Sequence, residues 1–143
     1  MIKILFVCHG NICRSPMAEY ILKDMLHKAG KDGAFEVASA AVSREEIGNP
    51  VYPPARRELQ RHGISCDGHR ARQVTQNDFQ HYDRIYYMDA GNKRYLVRML
   101  PRDEEKIRPL LSRDVADPWY TGDFEQTWND LVAGCQKIME EFA

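Results

Sequence analysis

The fold of this chain can be inferred first from the stretch IKILFVCHGNICRSPMAEYIL, residues 2–22. Its first part, residues 2–7, is a nearly continuous apolar run, which is typical of a β-strand buried on both faces of a sheet. After a polar segment, apolar side chains recur at helical spacing over residues 17–29, and Gly30 ends that pattern. With Ser15 as the predicted N-cap and Pro16 in the first turn, the stretch predicts strand, loop and helix in direct succession.

The rest of the chain continues the alternation of strand and helix. It indicates a parallel sheet with helices on both faces, and therefore one α/β domain of three layers over residues 1–143. Sites in such folds lie beyond the carboxyl ends of the strands. The further elements predicted from periodicity and capping are strands at 35–41, 84–88 and 106–110, a loop at 48–54, and helices at 55–62, after the Thr75–Asp78 capping box, at 90–100 and at 124–142.

Composition narrows the function classes. The chain has 143 residues, 43% hydrophobic and 29% charged, as in ordinary globular proteins, and its formal net charge is −1. No basic field therefore indicates a nucleic-acid partner or an anionic membrane surface. The four cysteines are too scattered for a disulfide framework, and Cys135 lies in an apolar helical stripe that predicts an inert core thiol. No stretch reaches the roughly 20 apolar residues of a membrane helix, so we expect a cytoplasmic protein with reduced thiols.

The loop after the first predicted strand has the features of an anion site. A strand-to-helix turn can direct backbone N–H groups and the positive helix end into one concavity. Gly10 and Asn11 tolerate the left-handed backbone that such a turn uses, and Arg14 can hold two phosphate oxygens. Cys8 would lie at the floor, where these donors and the Ser15 hydroxyl favour its thiolate. A thiolate below a bound phosphate is placed for in-line attack on phosphorus.

Expulsion of an alkoxide or phenolate calls for a general acid. Asp117 is the best candidate, because Pro118 biases it toward an extended loop and that loop follows the fourth predicted strand. Trp119 and Tyr120 are placed to wall a slot for an aromatic ring. An Asp-Pro pair that merely begins a turn is the alternative interpretation, and it becomes the weaker one beside the Cys8 loop.

Three motifs together resemble the low-molecular-weight protein tyrosine phosphatases: CHGNICRS at 8–15, SAA…EIGNP at 39–50 and DPWY at 117–120. The resemblance covers essentially the whole chain and implies the flavodoxin-like fold of phosphotyrosine protein phosphatase I. It also implies hydrolysis of phosphotyrosine in proteins through a phosphocysteine on Cys8, with Arg14 stabilising the phosphoryl group and Asp117 acting first as acid and then as base. No metal or other cofactor is implied, because Arg14 and backbone N–H groups supply the charge stabilisation.

The resemblance also implies roles around the loop. Asn11, Ser39 and His69 would form a network that supports the loop backbone, and Cys13 would be the redox partner that traps Cys8 as a reversible disulfide. The implied partners are phosphotyrosine-containing proteins and a cognate tyrosine kinase, with the phosphatase itself a monomer or weak homodimer. The residues expected to bind phosphate or substrate are His9, Gly10, Asn11, Ile12, Cys13, Ser15, Trp119 and Tyr120.

Three departures from the family pattern bear on substrate choice and local packing. His9 and Glu45 stand where relatives often carry an apolar and an aromatic residue, and they add polar character to the pocket rim. Tyr52-Pro53-Pro54 replaces the more usual Asp-Pro-Arg element, which bears on a structural salt bridge.

A zinc site is the main alternative outside the enzymes. Cys8, Cys13, Cys66 and His69 have the residue types of a Cys₃His set. That interpretation leaves Arg14 unexplained and places a cation at the positive end of a helix.

Two other enzymatic functions and a binding module are further alternatives. Arsenate reduction would use the same anion loop with additional cysteines, but residues 83–91 contain none. In phosphoarginine phosphatases the residue at the position of Ile12 resembles threonine. The bulk of Ile12 suits a flat aromatic ring better than a guanidinium. A non-catalytic phosphotyrosine-binding module does not need the nucleophile, arginine and acid that are all present here.

Overall fold

The fold is built on a sheet of four parallel strands in the order β2-β1-β3-β4, in a computed structural model that describes residues 1–143. The strands are β1 (Ile2–Cys8), β2 (Phe35–Ala41), β3 (Arg84–Tyr87) and β4 (Ile107–Pro109). The helices are α1 (Arg14–Lys28), α2 (Pro53–Arg61), α3 (Gln76–His81), α4 (Ala90–Met99), α5 (Pro118–Thr121) and α6 (Phe124–Glu141), with a 3₁₀ turn at Asp32–Ala34. The predicted α/β fold is confirmed.

β1 lies in the middle of the sheet because its apolar run can be buried on both faces. Ile4, Leu5, Phe6 and Val7 are all fully buried. Since successive side chains point to opposite faces of a strand, Ile4 and Phe6 belong to the core under α1, α2 and α6, whereas Leu5 and Val7 belong to the core under α3 and α4. The sheet is therefore the middle of three layers.

Most predicted boundaries differ from the structure by one or two residues. The capping box before α3 is confirmed, because the Thr75 side chain accepts from the N–H of Asp78 while the Asp78 carboxylate accepts from the N–H of Thr75. α2 begins earlier than predicted, at Pro53, because prolines fit the first helical turn, where an N–H has no helical partner anyway. The short helix α5 was not predicted.

The prediction of Ser15 as the N-cap of α1 is wrong. The helix is preceded by Cys13, which makes no side-chain capping hydrogen bond, and Ser15 lies inside the first turn. Its hydroxyl is instead 3.0 Å from the sulfur of Cys8. A serine hydroxyl near a helix start can serve either purpose, and the neighbouring sulfur decides between them here.

α6 closes one face of the sheet with the apolar stripe predicted for it. Leu131, Cys135 and Ile138 are buried, and burial raises the pKa of the Cys135 thiol, so the prediction of a core thiol is confirmed. Gly134 lets the helix approach the end of β4, because a Cβ at this position would lie 2.4 Å from the Cγ of Leu110. None of the helices combines the length and apolar character needed to cross a membrane.

The carboxyl edge of the sheet brings distant segments together. Cys8 is the last residue of β1, and the chain after β4 runs back along the end of β3, where Val115 donates its N–H to the Met88 carbonyl at 2.8 Å. Asp89 follows at the start of α4. This edge carries the candidate site.

Candidate active site

Cys8 lies at the floor of a loop formed by residues 9–13, between β1 and α1. Its side chain is buried, with the residue 3% exposed. The Ser15 hydroxyl lies 3.0 Å from the sulfur, and the Ser15 backbone N–H donates to the same sulfur at 3.4 Å. Because a thiolate can only accept, the hydroxyl must donate when Cys8 is ionised. Both groups lie in the first turn of α1 and can donate to the sulfur.

Asn11 shapes the loop. It is the one non-glycine residue with a positive φ, 59°, a conformation that asparagine tolerates better than most residues. Its Nδ2 donates to the hydroxyls of Ser15 at 2.8 Å and Ser39 at 2.9 Å, and its Oδ1 accepts from the backbone N–H of Arg72 at 3.1 Å. Its own carbonyl accepts from Nε2 of His69 at 2.8 Å. Asn11 is fully buried, so this network satisfies a polar side chain that water cannot reach.

The network extends one residue beyond the expected set. Ser39 donates its hydroxyl proton to Glu19 at 2.6 Å, and Glu19 also accepts from Lys23 at 2.5 Å. Glu19 is buried on α1, one helical turn after Ser15. Its carboxylate fixes the direction of the Ser39 hydroxyl, which leaves the lone pairs of Ser39 free to accept from Asn11.

Arg14 is the first residue of α1 and is 2% exposed. One terminal nitrogen donates to Asp89 at 2.8 Å and to the Val115 carbonyl at 3.1 Å, and the other donates to Asp117 at 3.3 Å. Burial by itself would lower the pKa of Arg14, but the neighbouring Cys8, Asp117 and Asp89 outweigh it and raise that pKa above its ordinary value. The guanidinium is therefore a fixed positive charge at the loop.

Asp117 comes from the opposite side of the site. Its backbone is extended, with φ −88° and ψ 107°, as the following proline predicted, and it is the N-cap of α5. One carboxylate oxygen accepts from the Trp119 N–H at 3.0 Å, and the other accepts from Arg14. The carboxyl group is thus held between the helix start and the guanidinium, and its side chain is still 26% exposed.

These groups share one cavity of about 310 Å³. Trp119 and Tyr120, which are 56% and 85% exposed, form an aromatic wall at its mouth, next to Asp117. Of the residues expected to bind phosphate or substrate, Asn11 and Ser15 are buried and do not line the cavity. The lining consists of Cys8, His9, Gly10, Ile12, Cys13, Arg14, Glu45, Glu46, Asp117, Trp119 and Tyr120.

Another part of the cavity lining is polar. His9 lies 3.1 Å from Glu45 through its Nε2, and its ring meets Tyr95 edge-on with centroids 5.8 Å apart. The two departures at His9 and Glu45 are therefore one paired feature. Glu46 lies beside them, held by Asn49 at 2.6 Å, and the sequence interpretation missed it as a lining residue.

Gly10 does not have the role predicted for it. Only Asn11 takes the left-handed conformation, whereas Gly10 has no positive φ. A Cβ on Gly10 would lie 3.3 Å from the Cγ of Glu46. Gly10 therefore lies in close contact with the Glu46 side chain, which no pattern within residues 8–15 indicates.

Asp89 is the functional residue that sequence reasoning missed most clearly. It caps α4 by accepting from the Asn92 N–H at 2.8 Å and anchors Arg14 with its other oxygen. The signal that could have found it is its position: an aspartate directly after a strand at the carboxyl edge, where parallel strands collect their functional groups.

Cys13 differs from Cys8 although it lies in the same loop. Burial, together with the nearby Cys8 and Asp117, raises the pKa of the Cys13 thiol well above its ordinary value. Both cysteines are free and line the same cavity. Cys13 is therefore a neutral thiol beside the proposed nucleophile at neutral pH.

The structure contradicts the zinc alternative. No three histidine, cysteine, aspartate or glutamate side chains are grouped so as to hold a metal ion. Cys66 and His69 are both buried, and the Nε2 of His69 is committed to the Asn11 carbonyl. Cys8 and Cys13 are the only cysteines that line the cavity, and Cys135 lies in the core. The lining therefore lacks the additional cysteines that arsenate reduction would use.

Comparisons with known proteins agree with this geometry. The family profile described as low molecular weight phosphotyrosine protein phosphatase matches residues 3–143. The chain is 42% identical to the low molecular weight protein-tyrosine-phosphatase YfkJ of Bacillus subtilis, over 97% of this chain and 94% of that protein. It is 38% identical to the human low molecular weight phosphotyrosine protein phosphatase, over 96% of this chain and 94% of the relative.

Solved structures give the same result for the fold. The crystal structure of YfkJ from Bacillus subtilis superposes with a TM-score of 0.94 at 41% identity, covering 99% of this chain and 94% of that one. The low molecular weight protein tyrosine phosphatase from Streptococcus pyogenes superposes with a TM-score of 0.91 at 35% identity, covering 100% of this chain and 94% of that one.

Proposed function

The chain belongs to the low molecular weight phosphotyrosine protein phosphatase family and is a protein-tyrosine phosphatase, and on that premise we propose that it works through a phosphocysteine on Cys8. The resemblance seen in the sequence is thereby confirmed. The observation that supports the mechanism most strongly is the position of Cys8, with two donors on its sulfur, in a cavity that Arg14 and Asp117 also line.

The first step is transfer of the phosphoryl group to sulfur. The Cys8 thiolate attacks phosphorus in line with the tyrosine oxygen, so the S–P bond forms as the P–O bond breaks. The loop N–H groups and the Arg14 guanidinium stabilise the charge on the non-bridging oxygens. Asp89 and Val115 hold the guanidinium from behind, so it needs little reorganisation when the phosphate arrives.

Asp117 supplies the proton in that step. Its carboxyl group donates to the departing tyrosine oxygen, so the product leaves as a neutral phenol and not as a phenolate. The N-cap bond from Trp119 orients the carboxyl group beside the cavity.

The second step releases phosphate. The Asp117 carboxylate, deprotonated by the first step, takes a proton from a water molecule that attacks phosphorus opposite the sulfur. The S–P bond breaks, inorganic phosphate leaves, and the Cys8 thiolate is regenerated under its Ser15 donors. The proton gained by Asp117 makes it an acid again. We propose that no metal takes part, since Arg14 and the loop N–H groups already provide the positive charge.

The shape of the cavity supports tyrosine as the substrate side chain. Trp119 and Tyr120 provide flat apolar faces at the mouth, and Ile12 adds an aliphatic surface to the lining. An aromatic ring gains from such faces, whereas the shorter phosphoserine side chain would not reach past them to Cys8 with its backbone outside. The physiological partners would be phosphotyrosine-containing proteins together with the tyrosine kinase that modifies them.

We further propose a reducing compartment such as the cytoplasm as the place of action, because the nucleophile must be a free thiol and all four cysteines are free. The protein acts in our proposal as a monomer or a weak homodimer. The exposed Tyr120 at the cavity mouth would be the first surface affected by self-association, and light scattering over a concentration series tests that state.

The decisive experiment is a comparison of substrates without added metal. Purified protein in the presence of a chelator is given phosphotyrosine, phosphoserine and phosphoarginine peptides of the same sequence. We expect turnover of the phosphotyrosine peptide alone, and Cys8→Ser should abolish it while retaining the fold and the binding of phosphate. Normal turnover by Cys8→Ser would remove Cys8 from the mechanism.

A second test addresses Asp117. In Asp117→Ala, kcat/KM for phenyl phosphate should fall by about 10²–10⁴, the usual effect of losing a general acid. The loss should be far smaller for p-nitrophenyl phosphate, whose leaving group needs little protonation. An equal loss for both substrates would argue against the acid role.

A further inference from the structure

Tyr52 touches both halves of the active site from one position. It precedes α2, and its backbone N–H donates to the Ile12 carbonyl of the phosphate-binding loop at 2.8 Å. Its ring packs on Trp119, with centroids 5.0 Å apart and planes at 53°. On the other side the ring stacks near Phe124 of α6, at 6.3 Å and 28°. Tyr52 does not line the cavity itself.

The contact with Trp119 acts on Asp117 through a short path. The Trp119 N–H donates to one oxygen of the Asp117 carboxylate at 3.0 Å, so Trp119 and Arg14, which donates to the other oxygen, together orient that carboxylate. Helix α5, which carries Trp119, has only four residues, and the next side chain, Tyr120, is 85% exposed. An element this short has little intrinsic stability, and packing must hold it in place.

The backbone just before Asp117 is fixed in a different way. The Ala116 N–H donates to Asp130 at 3.1 Å, and the Ala116 carbonyl accepts from Thr127 at 3.0 Å. Both partners lie on α6. These bonds place the backbone before Asp117. The Arg14 side chain, directly after the phosphate-binding loop, reaches Val115 and Asp117 themselves. Tyr52 adds a second link at Trp119, because its backbone N–H contacts the loop and its ring contacts the Trp119 ring.

We propose that Tyr52 is a positioning residue that holds the acid segment, residues 117–120, in register with the phosphate-binding loop. The proposal rests on the acid role proposed for Asp117. The backbone N–H of Tyr52 fixes its own position relative to Ile12, and the ring transmits that position to Trp119. Pro53 and Pro54 at the start of α2 restrict the backbone that follows Tyr52.

The consequence is selective. Misplacing a carboxylic acid costs rate only to the extent that the reaction needs its proton, so poor leaving groups should suffer more than good ones. The interaction of an aromatic pair such as Tyr52 and Trp119 should shift the equilibrium between ordered and displaced positions of the acid segment by roughly 3- to 10-fold. A merely structural loss would reduce the amount of folded enzyme and affect all substrates equally.

The test compares Tyr52→Leu, which removes the ring but keeps an apolar side chain, with the matched control Tyr52→Phe. The measured quantity is the ratio of kcat/KM for phenyl phosphate to that for p-nitrophenyl phosphate, in which any difference in folded fraction cancels. We expect Tyr52→Leu to lower this ratio by about 3- to 10-fold and Tyr52→Phe to leave it within about twofold of the parent. In an Asp117→Asn background, Tyr52→Leu should lower the ratio no further.

Three results would overturn the proposal: an unchanged ratio in Tyr52→Leu, an equal fall in Tyr52→Phe, or the same fall when Asp117 is already absent. The Asp117→Asn parent separates this proposal from the one it rests on. If Asp117→Asn does not lower the ratio, the acid role itself fails and the positioning role fails with it. If Asp117→Asn lowers the ratio and Tyr52→Leu does not, only the positioning role is lost.

Discussion

Replacing Asn11 with alanine should destabilise the protein far more than a surface substitution, although no charge is removed. The variant loses both Nδ2 hydrogen bonds, to Ser15 and Ser39, and the acceptor of the Arg72 backbone N–H. It also places an alanine at φ 59°. We expect the free energy of unfolding to fall by about 3–8 kcal/mol.

The magnitude follows from what each partner retains. Ser15 still has the Cys8 sulfur and Ser39 still has Glu19, so each lost bond to a hydroxyl costs about 0.5–1.5 kcal/mol. The Arg72 N–H is left without its acceptor, which costs about 1–3 kcal/mol when the group is buried. The left-handed backbone adds about 1–2 kcal/mol for a residue with a Cβ. The total is a large share of the roughly 5–15 kcal/mol that stabilises a typical domain.

Urea unfolding followed by far-UV circular dichroism measures the effect, with Asn11→Gly as the control for the backbone. Glycine adopts a positive φ without strain, so Asn11→Gly should lose less stability than Asn11→Ala, although its more flexible unfolded chain offsets part of the difference. If the free energy of unfolding of Asn11→Ala falls by less than about 1 kcal/mol, the buried network contributes little to stability and the prediction is wrong. A glycine variant less stable than the alanine variant would refute the backbone part.

Two further predictions concern stability away from the cavity. Gly134→Ala should lower the thermal midpoint, because the new Cβ would lie 2.4 Å from the Cγ of Leu110. The cost of overpacking, about 1–3 kcal/mol, should outweigh the helical preference for alanine over glycine of about 1 kcal/mol. A raised midpoint in calorimetry would contradict this prediction. Burial alone would raise the pKa of the Asp130 carboxyl, but Arg113, the Ala116 N–H and Gln126 hold that pKa below its ordinary value. The ionised carboxylate therefore stabilises the fold above about pH 4, and this contribution is lost as the pH falls further. The stability difference between the parent and Asp130→Asn should therefore shrink between about pH 5 and pH 2 in urea unfolding, and a difference that does not change with pH would exclude this role.

The parts of the fold that were predictable from sequence are those whose cause is local. The apolar run of β1 and the helical stripe of α6 each carry their own periodicity, so their burial follows without knowledge of their neighbours. The Thr75–Asp78 box contains both partners of its own hydrogen bonds. Even the extended backbone of Asp117 is set by the proline that follows it.

The parts that were missed depend on segments far apart in sequence. Asp89 reads as an ordinary helix cap until β3 is placed beside β1, which puts Arg14 within 2.8 Å across 75 residues of chain. Glu46 lines the cavity because its segment, which lies more than 30 residues after the loop in sequence, packs against Gly10. Ser15 has the residue type of a helix N-cap, but its hydroxyl contacts the sulfur of Cys8, which lies seven residues earlier in the chain. In each case the residue type was informative, but the partner that decides its role comes from tertiary packing.

The two cysteines of the loop show most clearly why spacing alone does not assign chemistry. Cys8 and Cys13 lie in one loop and line one cavity, and a pattern of two cysteines treats them alike. Cys8 ends β1 with its sulfur under the Ser15 hydroxyl and N–H, whereas burial raises the pKa of the Cys13 thiol by more than the nearby Arg14 lowers it. A nucleophile needs those donors and a bystander does not. In our proposal the Cys8 thiolate is the nucleophile, and its negative charge is one of the causes that raise the pKa of the Cys13 thiol, so the two cysteines of one loop differ because they lie close together.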